Sequence, residues 1–300
     1  MGKSVLVIGS TCVDVIIRVE HLPRTEENLH PQSQQFRVGG CAYNVANILG
    51  RGGADAAFVT PVGMKGVFGP YVLPELEKQP WSHPVILADK ENGCCYCLVE
   101  ASGERTFLSI HGVEYTFSPD WMAPYAGRHF DYAYVCGLEA EEENGGALVS
   151  WLEQADVGTL LYAPGPRGGR VPQARTDRLL RLHPLLHLNR AEAMELGQSQ
   201  ELREAMRNLY EKTRNALIVT LGSDGALVQE SPDSVLHVPG IPGVSVVDTI
   251  GAGDAHAGAV LLGLSRGQTL HEAAAFANRV AAQVVAQAGA TLESEDVLVR

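Results

Sequence analysis

The residue in this 300-residue chain with the plainest chemical potential is Asp254, which directly follows a glycine turn. The run Asp248-Thr249-Ile250-Gly251-Ala252-Gly253-Asp254 comes after a short apolar stretch and leads into a small-residue segment, Ala255 to Gly263, that reads as a helix. A strand end, a glycine turn and a helix start together leave several backbone N–H groups without helical partners, with the positive end of the helix dipole behind them. Such a turn binds phosphate. A carboxylate planted in it opposes anion binding unless it has a task, such as taking a proton from a hydroxyl that attacks the phosphate. The plainer alternative is that Asp254 caps the helix and the glycines only turn the chain. The run is not a Walker loop, because neither Lys-Ser nor Lys-Thr follows the glycines.

Other polar residues fall where a site could gather. Asp14 follows the apolar run 5–9, which has the character of a buried parallel strand. Ligands of open α/β sheets collect at the carboxyl ends of strands, so Asp14 is a candidate to grip polyol hydroxyls, or else a turn aspartate. Asn189 and Glu192 stand one helical turn apart after another strand-like run. An amide and a carboxylate at that spacing can organise the water shell of Mg²⁺, which needs few direct protein ligands. They equally suit a capping box, with Asn189 as N-cap and Glu192 at N3, and the two roles are compatible.

These residues need a scaffold, and the hydrophobic pattern supplies one. Residues 42–49 have helical spacing and 273–287 make an Ala-rich helix; 15–20, 29–38 and 56–60 look extended. Residues 93–110 read as a hairpin around the turn 101–104. From residue 131 onward strands are expected at 132–136, 158–162, 185–188 and 216–221 with helical stretches between them. Strands alternating with helices imply a mostly parallel sheet with right-handed crossovers.

Composition sets the outer bounds. With 45% hydrophobic and 19% charged residues the chain can bury a large core as one α/β domain. A formal net charge of −12 argues against a nucleic-acid or anionic-membrane surface. No apolar run reaches bilayer length, and the first residues enter a strand directly, so a cytoplasmic protein is expected. The six cysteines lie in apolar or Gly-rich stretches and are expected as reduced thiols. In a strand Cys94 points away from Cys95 and Cys97, which speaks against a zinc site. The histidines, His256 among them, are expected as packing or surface residues.

The motif at 248–254 resembles the ATP-site signature of the ribokinase (PfkB) family of sugar and nucleoside kinases. Further segments carry the resemblance in the family's order: Gly39-Gly40 followed by Asn44-Val45-Ala46 and Leu49-Gly50, the turn Gly103-Glu104-Arg105-Thr106, Asn189 with Glu192, and Thr220-Leu221-Gly222-Ser223-Asp224-Gly225. The resemblance implies a three-layer α/β/α sandwich, with a small β-sheet lid built from about 15–38 and 93–110, within one domain over residues 1–300. It implies ATP and Mg²⁺ as partners of a phosphotransfer to a small sugar. Asp254 would be the base, and the N–H groups of Gly251, Ala252 and Gly253 an anion hole. Gly39, Gly40 and Asn44 would lie on the substrate side, although Asn44 also reads as a helix-surface amide. Glu139 falls where the family often has a substrate-contacting acid, or is one of a surface group with Glu141, Glu142 and Glu143. Thr220, Gly222, Gly225 and Asn278 would face the nucleotide. Asp248, with the carbonyls of Gly289 and Ala290, would be a monovalent-cation site suited to K⁺, and the lid would form a homodimer.

Two departures from the family pattern are visible. The segment 63–69 lacks the acid of the family's Gly-x-Asp-x-x-Gly, and Ala163 replaces an Asp before Pro164-Gly165-Pro166-Arg167, leaving Arg167 alone as a substrate or phosphate ligand. Three other readings stay open: a nucleoside kinase with Tyr43 or Phe107 against a base, a sugar-acid kinase using Arg167 for the carboxylate, and a non-catalytic sugar-binding regulator.

Overall fold

A computed structural model describes residues 2–287, 289–292 and 294–299. The chain runs β1 (Ser4–Ile8), β2 (Cys12–Arg18), β3 (Ser33–Gly39), α1 (Cys41–Arg51), β4 (Asp55–Lys65), α2 (Phe68–Glu77), β5 (Ser82–Glu91), β6 (Cys94–Val99) and β7 (Arg105–Ile110). It continues with β8 (Phe130–Cys136), α3 (Gly137–Glu141), α4 (Gly145–Leu152), β9 (Val157–Ala163), α5 (Gln173–Arg181), β10 (Leu185–Asn189), α6 (Arg190–Leu196), α7 (Leu202–Thr213) and β11 (Leu217–Thr220). The last elements are β12 (Ala226–Ser231), β13 (Ser234–Val238), α8 (Ala252–Ser265), α9 (Leu270–Val285) and α10 (Asp296–Val299).

Nine strands form one sheet in the order β13-β12-β11-β10-β9-β8-β1-β4-β5. In that order every neighbouring pair from β11 across to β5 is parallel, and β12 and β13 add an antiparallel edge. The continuous apolar strand runs follow from burial on both faces. On β1, Val5 and Val7 pack into a layer with α1, α8 and α9, while Leu6 and Ile8 pack into the opposite layer with α4, α5 and α7. The result is the expected α/β/α sandwich. α8 is buried nearly throughout, because its small residues let neighbours approach. A Cβ on Gly258 would lie 3.0 Å from the Ile48 Cβ of α1.

A separate four-stranded sheet, β3-β2-β6-β7, stands over the carboxyl ends of the parallel strands. It contains the two predicted lid segments with shifted ends: the first strands are Cys12–Arg18 and Ser33–Gly39. Asp14 therefore lies inside a lid strand, not in the turn after β1. The segment 63–69 is divided between the end of β4 at Lys65, a bend at Gly66-Val67 and the start of α2 at Phe68, and α2 continues through Pro74. β5 escapes the hydrophobic pattern because it is an edge strand, mostly exposed over its second half. All six cysteines are free.

Candidate active site

Two cavities meet at the glycine turn that precedes α8. The larger, of about 1260 Å³, lies under the lid and is lined by Asp14, Gly40, Cys41, Asn44, Arg105, Phe107, Arg167, Asn189, Glu192, Gly251 and Asp254 among others. The smaller, of about 400 Å³, is lined by Thr220, Gly222, Gly225, Ala252, Gly253, His256 and Asn278, with apolar walls from Ile241, Val244, Val246 and Val285. Thr249 borders both. Asp14, Gly40, Asn44, Arg167, Asn189, Glu192, Gly251 and Asp254 thus gather at the larger cavity and Thr220, Gly222, Gly225, Ala252, Gly253 and Asn278 at the smaller, while Gly39, Glu139 and Asp248 line neither.

The turn is built by conformation. Gly251 is the N-cap of α8 and sits in the left-handed region at φ 72°, which glycine adopts without a Cβ penalty. Its carbonyl accepts the Ala255 N–H at 2.8 Å and starts the helix. The Ala252 N–H turns back to the Thr249 carbonyl at 3.3 Å. Among the described residues the N–H groups of Gly251, Gly253 and Asp254 have no acceptor, so the free donors are these three and Ala252 is engaged. The N-cap is Gly251 and Asp254 stands in the first turn with its side chain bonded to Asn44, so the capping alternative does not hold.

Asp254 Oδ2 instead accepts the Asn44 Nδ2–H at 2.8 Å, joining α8 to α1. Burial pushes the Asp254 carboxyl up to about 6; hydrogen bonds from Asn44 and the Cys41 thiol pull it down, and the charge of Glu192 adds to the rise. Asp14 is raised to about 7 by burial and then by the charges of Asp254 and Asp248. Gly40, in the left-handed region at φ 107°, admits the chain beside the Ser10 carbonyl, and Gly39 packs on the Asp14 carboxylate. Glu139 is 1% exposed and is not a surface residue. Its Oε1 accepts the Ser10 N–H at 2.9 Å, its Oε2 has no partner among the described residues, and burial pushes it up to about 7. It lies behind the cavity wall, against Gly9.

Asn189 and Glu192 form the full capping box: the Glu192 N–H reaches Asn189 Oδ1 at 2.9 Å and the Asn189 N–H reaches Glu192 Oε2 at 2.9 Å. The box leaves Glu192 on the cavity wall with no cationic partner among the described residues, and burial raises its proton affinity. Its Oε1 also accepts the Asn189 Nδ2–H at 2.7 Å, so the two side chains hold each other on the wall. Arg167 lines the cavity but is spent on Glu141, to which its Nε donates at 2.7 Å while Nη2 makes a second short contact. Asn278 is likewise occupied: Nδ2 donates to the Val238 and Pro239 carbonyls at 3.2 and 3.0 Å, and Oδ1 accepts the His256 Nε2–H at 3.2 Å. That leaves His256 Nδ1 to accept from His187 Nε2 at 2.8 Å. Burial lowers both imidazoles, His256 to about 4, and keeps them neutral. His256 is therefore a packing residue on the wall of the smaller cavity, a placement its lone position in the sequence does not signal.

To Asp14 and Phe107, which the sequence singles out, the lid adds Cys95, Ser109 and Arg105, which it does not. Strand register places Asp14, Cys95 and Ser109 in one row on the cavity face, with Phe107 and Arg105 further along the same face. Arg105 crosses from the lid to the body of the domain, where its Nη2 meets Asp248 Oδ1 at 2.9 Å. Among the described residues no cluster of three or more His, Cys, Asp or Glu could hold a metal by protein ligands alone. No described helix is long and apolar enough to cross a membrane.

Comparison with known proteins agrees with this geometry. The pfkB family carbohydrate kinase model matches residues 2–297. The chain is 36% identical to an uncharacterized sugar kinase of Escherichia coli, over 96% of this chain and 90% of that protein. Adenosine kinase from Sinorhizobium meliloti superposes with a TM-score of 0.84 at 21% identity, over 100% and 98% of the two chains. The Arabidopsis thaliana ribokinase solved with ribose and ATP superposes at 0.79 with 18% identity, over 99% and 98%. Family match, identity and shared fold together make the chain a member of the pfkB family of carbohydrate kinases, a phosphotransferase of the sugar and nucleoside kinase type.

Proposed function

We propose that the enzyme transfers the γ-phosphoryl group of ATP to a hydroxymethyl group of a small neutral sugar. The observation that carries this reading is the position of Asp254. It faces the cavity under the lid together with Gly251, while Gly253 of the same turn borders the second cavity. A hydroxyl in the first cavity and a triphosphate entering from the second meet at that turn.

In the step, Asp254 accepts the hydroxyl proton as the acceptor oxygen bonds to the γ-phosphorus. The bond from that phosphorus to the β–γ bridging oxygen breaks, and ADP leaves. The N–H groups of Gly251 and Gly253, with that of Asp254, hold the charge on the transferring group. Asn189 and Glu192 would hold the water shell of Mg²⁺, which when bound neutralises the polyphosphate. The lid, with Phe107 on its inner face, excludes water that would compete as acceptor.

Charge supports a neutral acceptor. Asp14, Glu192 and Asp254 line the cavity, and its arginines Arg105 and Arg167 are each paired with a carboxylate. The sugar-acid reading rested on Arg167, which Glu141 holds with both prongs. A nucleoside acceptor is the second reading. It is favoured by Phe107, which is 54% exposed on the cavity wall and free to stack on a base. Tyr43 offers no such support, being buried outside this cavity. ADP release from Mg-ATP across neutral sugars, sugar acids and nucleosides is the test. Turnover is expected with a neutral sugar, and turnover confined to sugar acids would overturn the charge argument. ATP binding without turnover on any class would favour the regulator.

A homodimer through the lid belongs to the same proposal. Phe36, Val15, Tyr96 and Leu108 form one row on the lid face opposite the cavity; Val15 is buried in the core at 1%, while Phe36, Leu108 and Ile110 to either side of it are 46%, 57% and 57% exposed. An apolar sheet face of this kind is covered in a stable assembly. Gel filtration is expected to give about twice the 32.2 kDa chain mass; a monomer mass removes the dimer.

A further inference from the structure

The expected monovalent-cation site joins Asp248 to the carbonyls of Gly289 and Ala290, and the one carboxylate in it is already taken. Asp248 is 6% exposed, and both carboxylate oxygens are occupied. Oδ1 accepts the Ile250 N–H at 2.8 Å and faces Arg105 Nη2 at 2.9 Å, while Oδ2 accepts the Gly289 N–H at 3.0 Å. A K⁺ placed there would meet N–H donors and a guanidinium, where it needs free oxygens. A second lid arginine adds positive charge: Arg37 of β3 lies over Gly289, where a Cβ would come within 2.8 Å of its Nη1.

We propose that Arg105 is the resident cation of this site, supplied by the lid, so that the enzyme binds no monovalent cation at Asp248 and needs none for turnover. Arg105 leads β7 and donates from Nη1 to Thr249 Oγ1 at 2.6 Å as well as pairing with Asp248. Its two contacts flank the start of the turn. Asp248 in turn holds the Ile250 N–H, one residue before Gly251. The guanidinium thus fixes the anion turn from behind, and the lid can engage Asp248 only when it lies over the cavity. Arg105 Nε is buried with no partner among the described residues, on a side chain that also lines the acceptor cavity. Lid position and turn geometry are thereby coupled through one side chain. Arg105 is a positioning residue in this role.

The coupling rests on the kinase reading above, whereas the cation exclusion does not, and the experiment keeps them apart. Crystals of the wild-type protein soaked in rubidium chloride are expected to show no anomalous peak at Asp248, whatever the acceptor proves to be. A peak there would overturn the proposal even if no acceptor were found. In turnover, potassium chloride and choline chloride at equal ionic strength are expected to give the same rate, and a rise of about 10-fold or more in potassium would overturn it. Arg105→Ala is expected to lower kcat by about 100-fold, the scale of a displaced reacting group, with a smaller change in the KM for ATP. Added guanidinium or potassium should restore part of that loss, and Arg105→Lys should retain more activity than Arg105→Ala. A variant that folds, loses turnover and responds to neither cation would reduce Arg105 to a structural tie and sink the proposal, as would an Arg105→Ala enzyme with wild-type kcat. Failure of every acceptor to release ADP would instead strike the kinase reading, leaving the rubidium result to decide the cation.

Discussion

Asp254→Asn is expected to lower turnover by about 10³-fold, within the range a positioned general base supplies, while ATP still binds. The substitution keeps the shape of the side chain and removes only its capacity to take a proton. Titration in calorimetry checks the binding and ADP release checks the rate; an Asn variant with near wild-type turnover would dismiss Asp254 as the base. The pH profile carries the same information. The carboxyl is pushed up to about 6, by burial first, and only its ionised form accepts a proton. The wild-type kcat/KM should therefore rise with pH through a limb near 6 and level off above it. Asp14 and Glu139, both pushed up to about 7 and each feeling the charge of Asp254, titrate in the adjoining range. The three carboxyls then share macroscopic steps. The Asn variant separates them, since any pH dependence left in its residual rate belongs to Asp14 and Glu139. Asn44→Ala withdraws a hydrogen bond from the ionised Asp254 and should move the limb to higher pH.

Gly251→Ala should cost about 10²-fold in turnover and also lower the melting temperature. Two penalties fall on one atom. The residue sits at φ 72°, where a Cβ costs roughly 1–2 kcal/mol, and the new Cβ would stand 2.9 Å from the Ala290 Cα, a distance real Cβ atoms do not reach. The turn has to shift, and its free N–H groups shift with it; misplacement by about 1 Å carries a penalty of this size. Gly253 is the control. A Cβ there meets nothing within 4 Å, so Gly253→Ala should leave the melting temperature in place. Equal losses of stability in the two variants would show that the turn is not held as described.

Most of the local architecture is legible in the sequence because it depends on neighbours along the chain. The glycine turn with Asp254 at the helix start, the Asn189–Glu192 box and the α1 helix after Gly39-Gly40 are set by residues within about one helical turn of each other. The alternation of apolar strands and helices likewise specifies a parallel sheet, since strands buried on both faces must be apolar throughout. β5 was missed for the converse reason: an edge strand facing solvent has no such constraint.

What only the tertiary structure decides is which of these local pieces meet. Asn44 and Asp254 are 210 residues apart and share a hydrogen bond because α1 packs on α8. Arg105 reaches Asp248 because the lid sheet stands over the turn, and no spacing in the sequence announces that pairing. Arg167 looks free in sequence and is taken by Glu141; Glu139 reads as one acid among several and is sealed behind Ser10. Hydrophobic periodicity states which face of an element is buried, but the partners across that face follow from strand order and crossovers, and the charge state of a carboxyl follows from who those partners are. The sequence by itself therefore determined the chemistry at the turn and the fold that presents it, and the packing of distant elements decided which charges remain free to act.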